Sequence, residues 1–290
     1  MSQPATVIEA WSNRAVAETN EERLVAFHMP RRLERPLPGQ TVVLDEQDEL
    51  VEVEPARNQF GRGDPRGRFK PIAVNLDQAL IVIAAEPAPS ADLIHRYLAA
   101  CHICRIEPVI VVNKSDLDAH QQPPFTELEA LSALGYRVIR TQCKPEPQIE
   151  ELKHLLLGKT SLIAGQSGVG KTSLVNALIP NLDRQTGALS SVTGKGTHTT
   201  TSARLCHLPE GGWLVDTPGV WEYGLWTMPP QALESGFPEF RPWVDACRFR
   251  DCTHQHEPGC AVMAAAESGE LPEFRYQAWL RLLAEQSRLG

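Results

Sequence analysis

The sequence lacks the long apolar segments and the leader that would direct a chain into or across a membrane. No apolar run is long enough to span a bilayer. The first residues, Met1-Ser2-Gln3-Pro4, are not a basic cluster followed by an apolar stretch, so no secretory signal is visible. No internal repeat or low-complexity tract is present. We therefore expect a cytoplasmic monomer that makes no membrane contact.

The sequence also has no excess of positive charge, and its cysteines are odd in number. The net charge of -8 argues against binding nucleic acid over the whole surface, although a local basic patch remains compatible with it. The odd total of 7 cysteines argues against a disulfide framework and for a metal site where cysteines cluster. The 290 residues, 42% hydrophobic and 22% charged, suit a globular protein of two or three domains.

Residues 1–70 predict a small β-barrel or sandwich. Apolar and polar residues alternate in 41–44 and 50–54, and proline and glycine punctuate the segment. The stretch Arg57–Lys70 is strongly basic. A solvated loop is the simpler interpretation of that stretch. The alternative is an arm that contacts phosphates of a nucleic acid.

Residues 71–224 predict a doubly wound α/β domain. Apolar runs at 79–85 and 108–112 are typical of strands buried on both faces. A further strand is predicted at 161–164, and helical patterns separate these strands. Beyond residue 225 the strand signal fades. There, Glu270–Leu289 predicts an amphipathic helix, so we expect a third, mainly helical region over 225–290. The apolar side of that helix carries Phe274, Trp279, Leu280 and Leu283.

Gly165–Thr172 has the composition of a phosphate-binding loop, between a predicted strand and a predicted helix. Its glycines let backbone N–H groups converge on phosphates, and the helix N-terminus adds positive potential. We expect Lys171 to reach the β- and γ-phosphates and the Thr172 hydroxyl to coordinate Mg²⁺. A chance glycine-rich turn is the alternative. The predicted nucleotide contacts on this segment are Gly165, Gln166, Ser167, Gly168, Val169, Gly170, Lys171, Thr172 and Ser173.

The tetrapeptide Asn113-Lys114-Ser115-Asp116 predicts recognition of guanine. It follows a predicted strand, and Asp116 can accept hydrogen bonds from guanine N1–H and the 2-amino group. Adenine lacks that pair of donors and would leave the carboxylate unpaired. A helix cap is the alternative for the tetrapeptide alone, and an ATP-dependent enzyme such as a kinase is the alternative for the chain. In an ordinary GTPase the phosphate loop comes first, so the order here indicates a circular permutation.

Two further segments are predicted to contact Mg²⁺ and the γ-phosphate. Asp216-Thr217-Pro218-Gly219 follows a predicted strand, where Asp216 would hold Mg²⁺ through water and the Gly219 N–H would meet the γ-phosphate. A glycine- and threonine-rich segment precedes it. There Thr200, with Thr199 as the alternative, would supply a second hydroxyl to Mg²⁺.

The residue that orients the attacking water is predicted less directly. Many GTPases place a glutamine after the Asp-x-x-Gly turn, where this chain has Val220, so we expect slow intrinsic hydrolysis. His198 is the candidate to orient or deprotonate the water. A solvent-facing loop histidine is the alternative. With Lys171 and Thr200, His198 completes the predicted catalytic set.

Cys247, Cys252, His254 and Cys260 offer three thiolates and one imidazole, the ligand set of a closed, tetrahedral structural zinc site. Free buried cysteines are the alternative, although the surrounding segment is polar. His256 is the alternative imidazole. The pair Cys101 and Cys104 has no evident partner pair, so packing is its simpler interpretation.

The order of these motifs resembles the circularly permuted GTPases of the bacterial RsgA (YjeQ) family. Asn-Lys-Ser-Asp precedes the phosphate loop, and Gly-Thr-His-Thr-Thr and Asp-Thr-Pro-Gly-Val follow it. The resemblance covers nearly the whole chain and implies an N-terminal OB-fold, a permuted GTPase domain and a C-terminal zinc domain. It also points to His198 and to His254. The chain departs from the family pattern at Thr197, often an arginine, and at Arg140–Lys144, which matches the usual base-supporting loop loosely.

The resemblance implies a GTPase that is stimulated by the small ribosomal subunit and acts late in its maturation. GTP or GDP, Mg²⁺ and one structural Zn²⁺ would be the bound groups. The stretch Arg57–Lys70 and the zinc domain would contact ribosomal RNA. The alternative is a non-catalytic RNA-binding module whose conformation changes with the bound nucleotide. Because the segment after Gly219 leads into residues 225–290, we also hypothesise that the nucleotide state moves the zinc domain.

Overall fold

The computed structural model describes residues 2–11, 13–90, 92–117, 122–185, 189, 203–217 and 223–289. The described strands are β1 (Gln3–Ala10), β2 (Arg14–Thr19), β3 (Leu24–His28), β4 (Thr41–Leu44), β5 (Leu50–Val53), β6 (Gln59–Gly63), β7 (Phe69–Val74), β8 (Gln78–Ala84), β9 (Glu107–Asn113), β10 (Arg137–Arg140), β11 (Thr160–Gly165), β12 (Arg204–His207) and β13 (Trp213–Asp216). The described helices are α1 (Leu93–Ile103), α2 (Leu128–Ala133), α3 (Glu150–Leu156), α4 (Lys171–Leu178), α5 (Pro230–Glu234), α6 (Arg241–Val244), α7 (Ala261–Ser268) and α8 (Glu273–Leu289).

The first five strands form an antiparallel, barrel-like sheet. Strand β1 pairs with both β2 and β4, β2 pairs with β3, and β4 pairs with β5. Alternating apolar side chains from these strands fill one core. That core includes Val7, Ala17, Phe27, Val42 and Leu44. The predicted N-terminal β-structure is therefore present, and the continuous pairing around β1 buries its apolar face.

Parallel strands form the centre of the α/β domain, in the spatial order β10-β9-β8-β11-β13. Every residue of β8 is buried, as the apolar run that begins at Ala79 predicts. Helices α1 and α2 pack on one face, and α3 and α4 pack on the other. The chain order reverses between β8 and β11, which opens a crevice at the carboxyl ends of the strands. Ligands of open α/β sheets bind at such a point.

Strand β12 joins the α/β sheet to the barrel. It pairs antiparallel with β13 on one side and with β1 on the other, so one sheet runs from β10 to β3. The hairpin β6–β7 forms a separate two-stranded sheet. It contacts the segment after residue 222, where Gly63 N donates to Gly224 O at 2.9 Å and the Tyr223 hydroxyl donates to Gly61 O at 2.7 Å.

The C-terminal region is mainly helical and packs against α1. Phe237, Phe240 and Trp279 are buried there. The helix predicted to begin at Glu270 begins instead at Glu273. Gly269 takes a left-handed φ of 80° and ends α7, and Pro272, which has no N–H to donate, directly precedes α8. Within the described ranges, no helix combines the length and the apolar character of a membrane span.

Candidate nucleotide and metal sites

The phosphate-binding loop is built as the sequence predicts, between a strand, β11, and a helix, α4. Gly165, Gly168 and Gly170 all have positive φ, at 142°, 80° and 94°. A Cβ at Gly165 would lie 2.2 Å from Val82 O, so β8 leaves no room for a side chain there. Conformation and space therefore both require glycine at the start of the loop.

Lys171 folds back over the loop that precedes it. Its Nζ donates to the carbonyl oxygens of Gly165 and Gln166, each at 2.7 Å. Burial lowers the pKa of the Lys171 ammonium, and the nearby Asp216 carboxylate opposes that shift. Lys171 is half-buried. Its positive charge would therefore attract a bound phosphate more strongly here than in open solvent.

Asn113, at the end of β9, joins the base motif to the phosphate loop. Its Nδ2 donates to Val169 O at 2.8 Å, and its Oδ1 accepts from the Thr141 hydroxyl at 3.1 Å. Asn113 is 1% exposed. A Cβ at Gly170 would lie 2.3 Å from Asn113 Nδ2, so this contact also requires glycine in the loop. Two motifs that are far apart in the sequence therefore meet through one buried amide.

The rest of the base motif lies at the carboxyl edge of the sheet. Lys114 has a left-handed φ of 55°, and its Nζ donates to Glu86 O at 2.7 Å. Ser115 and Asp116 are exposed, so the Asp116 carboxylate is accessible to a ligand at this edge. Asn113 is therefore buried inside this edge of the sheet, whereas Asp116 lies on its solvent-exposed side.

The segment after β10 closes over the base motif, although its sequence matches a base-supporting loop only loosely. Ser115 N donates to Thr141 O at 3.1 Å, and Thr141 N donates to Val112 O at 2.8 Å. The Cys143 thiol lies 3.8 Å from Asn113 Oδ1. The sequence includes Thr141 in the loosely matching segment Arg140–Lys144 but does not predict its contact with Asn113. The available signal was its position after a strand that neighbours β9, since such segments meet at one sheet edge.

Asp216, at the end of β13, lies beside the phosphate loop, where burial and nearby positive charges shift its pKa in opposite directions. Burial raises the pKa of its carboxyl, and the positive charges of Lys171 and Arg204 oppose that effect. The neighbouring Thr217 is buried, and its hydroxyl donates to Ile163 O in β11 at 3.1 Å. This bond fixes the start of the segment that leaves the sheet. The predicted residues His198, Thr199, Thr200, Gly219 and Val220 lie outside the described residues.

The predicted metal ligands converge in the C-terminal region. The ligand atoms of Cys247, Cys252, His254 and Cys260 all lie within 4.8 Å of one another. The Cys247 and Cys260 Sγ atoms are 3.9 Å apart, and His254 Nδ1 lies 3.7 Å from the first and 3.3 Å from the second. A tetrahedral zinc ion with bonds of about 2.3 Å separates its sulfur ligands by about 3.8 Å. The cluster therefore has the donors and the spacing of a structural zinc site.

A second layer of contacts orients the metal-site histidine. His254 Nε2 lies 2.9 Å from Glu234 Oε2, which leaves Nδ1 facing the thiols. His254 is buried, whereas His256, the alternative imidazole, is exposed. The Tyr276 hydroxyl in α8 donates to His254 O at 2.8 Å. No sequence pattern indicates this role for Glu234, because it lies on α5, well before the cysteine cluster.

The cysteine pair Cys101 and Cys104 packs in the core, and the basic stretch 57–70 forms part of a hairpin. Cys101 is buried in the core and Cys104 packs against that core, and neither belongs to the one group of potential metal ligands found among the described residues. The basic stretch lies on and beside the hairpin β6–β7. Two of its arginines are paired, Arg57 with Asp77 at 2.6 Å and Arg68 with Asp64 at 2.8 Å. Arg66, Arg68 and Lys70 are exposed on this hairpin.

Comparisons with known proteins agree with this architecture. Residues 53–226 match the family model described as RsgA GTPase. A small ribosomal subunit biogenesis GTPase RsgA of Hahella chejuensis is 46% identical over 240 residues, which cover 82% of this chain and 69% of that protein. The crystal structure of YjeQ from Thermotoga maritima has a TM-score of 0.78 at 29% identity and covers 99% of both chains. That of YloQ, a circularly permuted GTPase, has a TM-score of 0.74 at 27% identity and covers 100% of this chain and 96% of its own. The predicted fold and the reversed motif order are confirmed.

Proposed function

Because this chain belongs to the RsgA GTPase family, we propose that it hydrolyses GTP to GDP and phosphate during biogenesis of the small ribosomal subunit. The relative from Hahella chejuensis carries that role in its name. The observation that supports the nucleotide site most directly is the hydrogen bond from Asn113 Nδ2 to Val169 O. It joins the motif proposed to recognise guanine to the phosphate loop.

The nucleotide would lie along the carboxyl edge of the sheet. Asp116 would accept hydrogen bonds from guanine, and Lys114 would lie along the loop, since its Cε is 3.9 Å from an ideal Cβ at Gly170. Backbone N–H groups of Gly165–Ser173 would surround the phosphates, with the helix α4 N-terminus directed at them. Lys171 would exchange its two carbonyl partners for phosphate oxygens.

The residues at the phosphate end suit Mg²⁺. A carboxylate at Asp216 and a hydroxyl at Thr172 are the oxygen donors that this ion prefers, alongside waters and phosphate oxygens. When bound, Mg²⁺ neutralises charge that develops on the β- and γ-phosphates. We propose that Thr200 supplies a further hydroxyl and that the Gly219 N–H contacts the γ-phosphate.

Water activation is assigned to His198. The apolar Val220 cannot orient a water molecule, whereas an imidazole can hold one by a hydrogen bond or accept its proton. We expect this arrangement to be incomplete in the free protein and to be completed on the small ribosomal subunit. Hydrolysis would then be slow alone and stimulated by the subunit.

The cluster of Cys247, Cys252, His254 and Cys260 would hold one structural Zn²⁺. Four protein ligands complete a tetrahedral shell and leave no position for a substrate, so the ion would stabilise the fold without taking part in hydrolysis. We place the barrel in residues 1–70, the GTPase domain in 71–224 and the zinc domain in 225–290. The hairpin β6–β7, with exposed Arg66 and Lys70, and the zinc domain would contact ribosomal RNA. The chain would act as a cytoplasmic monomer.

Nucleotide competition tests the assignment of the base. A fluorescent GDP analogue bound to the protein should be displaced by unlabelled GTP and GDP but not by a 100-fold excess of ATP, because adenine cannot satisfy Asp116. The variant Asp116→Ala should lose this discrimination and bind guanine nucleotides weakly. Displacement by ATP at the concentrations that suffice for GTP would contradict the proposed function.

A further inference from the structure

A cleft of about 1010 Å³ lies between the hairpin β6–β7, the phosphate loop and the start of α1. Gln166 and Ser167 of the phosphate loop line one part of the cleft. Arg62 and Lys70 of the hairpin, called the cation pair below, line another part. The cleft therefore brings the segment proposed to hold phosphates together with two positively charged side chains from a different sheet.

The two members of the cation pair are direct neighbours. Arg62 is directly opposite Lys70 in the antiparallel pairing of β6 with β7. Directly opposite residues share a face of the sheet with Cβ atoms about 4.5–5.5 Å apart, where two like charges destabilise the pairing. An anion that binds to both side chains would offset this repulsion.

The other charged side chains that line the cleft already have partners. Asp64 forms an ion pair with Arg68 at 2.8 Å, and Arg96 forms an ion pair with Glu285 at 2.8 Å. Within the part of the chain that the structure describes, neither member of the cation pair forms an ion pair. The cleft therefore keeps two uncompensated positive charges, which favour an anionic ligand.

The phosphate loop meets this cleft where the terminal phosphate of a nucleotide is expected. Lys171, which we propose binds the β- and γ-phosphates, donates from Nζ to Gln166 O at 2.7 Å, and Gln166 lines the cleft. A buried hydroxyl also connects the two sides. Burial raises the pKa of Tyr97, and both the Gly165 N–H and the positive charge of Arg62 oppose that rise. Arg62 therefore lies close enough to the start of the phosphate loop to act on the same hydroxyl.

We propose that the cation pair binds the terminal phosphate group of GTP from the hairpin side of the cleft, opposite the phosphate loop. The inference rests on the proposed binding of GTP at that loop. The Arg62 guanidinium can donate two parallel hydrogen bonds to one phosphate group, and the Lys70 ammonium adds a point charge on a flexible stem. GDP lacks the third phosphate and gains nothing from the pair. The hairpin thereby helps the protein to distinguish GTP from GDP.

The affinities of the full-length protein for fluorescent GDP and for a fluorescent, non-hydrolysable GTP analogue test the inference. Combining Arg62→Gln with Lys70→Gln should lower the affinity for the GTP analogue by about tenfold, the size expected for a lost charge-assisted hydrogen bond, and should leave the GDP affinity within about twofold. The double variant without nucleotide should unfold at a urea concentration no lower than the wild type, because the two like charges no longer face each other.

Arg31→Gln combined with Arg32→Gln is the matched control. It removes the same two positive charges from exposed positions that do not line the cleft, so both affinities should stay unchanged. Equal losses for GDP and the GTP analogue in the cation-pair variant, or a loss for the analogue no larger than in the control, would overturn the inference and leave the proposed function standing. Displacement of bound GDP by ATP as readily as by GTP would overturn the proposed function, and the ratio of ATP-analogue to ADP affinity would then test the cation pair.

Discussion

At the scale of single residues, one buried amide connects the two ends of the nucleotide site. Asn113 makes hydrogen bonds to Val169 and Thr141, so three separate segments depend on its side chain. Loss of a buried partner costs about 1–3 kcal/mol, since the groups left behind are desolvated without compensation. The distance between the base-reading and phosphate-reading residues is therefore set by this contact as well as by the backbone.

The first prediction concerns the glycine that this amide contacts. Gly170→Ala should weaken GTP binding by at least about tenfold, because the new Cβ displaces Asn113 and strains a left-handed residue by about 1–2 kcal/mol. Gly211→Ala is the control. Gly211 has a φ of 97° but nothing within 4 Å of an ideal Cβ, so it carries the strain without the collision. Titration with a fluorescent GTP analogue measures both, and equal loss of binding in the two variants would contradict the role given to Asn113.

The second prediction concerns the carboxylate behind the metal-site histidine. Glu234→Ala should lower zinc affinity by about 10- to 100-fold, because His254 loses the partner that orients its ring. Competition with a chromogenic chelator measures the zinc that the protein retains. Ser235→Ala is a neighbouring control, since the Ser235 hydroxyl contacts only Ala232 O within its own helix among the described contacts. Equal zinc retention in Glu234→Ala and the wild type would contradict the orienting role.

At the scale of secondary-structure elements, α8 attaches the C-terminal region to the α/β domain through buried charge. Arg275 is 0% exposed and forms an ion pair with Glu239. Its Nη1 also lies 2.9 Å from His95 Nδ1 in α1, and its guanidinium lies 4.5 Å from the centre of the Phe237 ring. The helix therefore contributes a charged anchor where its amphipathic pattern predicts only an apolar face.

The third prediction compares two arginines on this helix. Arg275→Ala should lower the free energy of unfolding by about 3–5 kcal/mol, because it leaves the Glu239 carboxylate buried without its partner. Arg281, which contacts Asp92 and is 46% exposed, is the control, and Arg281→Ala should cost less than about 1 kcal/mol. Urea unfolding followed by circular dichroism measures both. A cost for Arg275→Ala as small as that for Arg281→Ala would contradict the anchoring role.

At the scale of the whole molecule, the contacts of the C-terminal region bear on the hypothesis that nucleotide state moves the zinc domain. The segment that follows residue 222 first packs inside the molecule, where Tyr223 stacks on Tyr97 of α1 at a centroid distance of 4.2 Å. Gly224 and Thr227 then bond to the β6–β7 hairpin. A change near the γ-phosphate would therefore reach α1 and the hairpin before it reaches the zinc domain. Comparison of the GTP and GDP complexes, free and on the subunit, tests the hypothesis, and an identical zinc-domain orientation would refute it.

Local sequence patterns predicted those parts of the molecule that depend on local chemistry. Examples are the phosphate loop with helix α4, the position of residues 113–116 at the end of β9, and the convergence of the three clustered cysteines with His254. The supporting contacts of Thr141, Glu234 and Arg275 could not be predicted in this way. Each depends on a partner that is distant in the sequence, and a charged residue in a helix carries no local sign that it is buried.

Turnover of GTP, measured with and without purified small ribosomal subunits, decides whether this protein is a subunit-stimulated GTPase. We expect slow hydrolysis by the protein alone and a rate at least about tenfold higher with small subunits, because the subunit completes the site around the attacking water. We also expect His198→Ala to bind GTP normally but to lose most of the stimulated rate, by about 10²-fold or more. Equal rates with and without small subunits would contradict the proposed function, and an unchanged stimulated rate in His198→Ala would remove that residue from the mechanism.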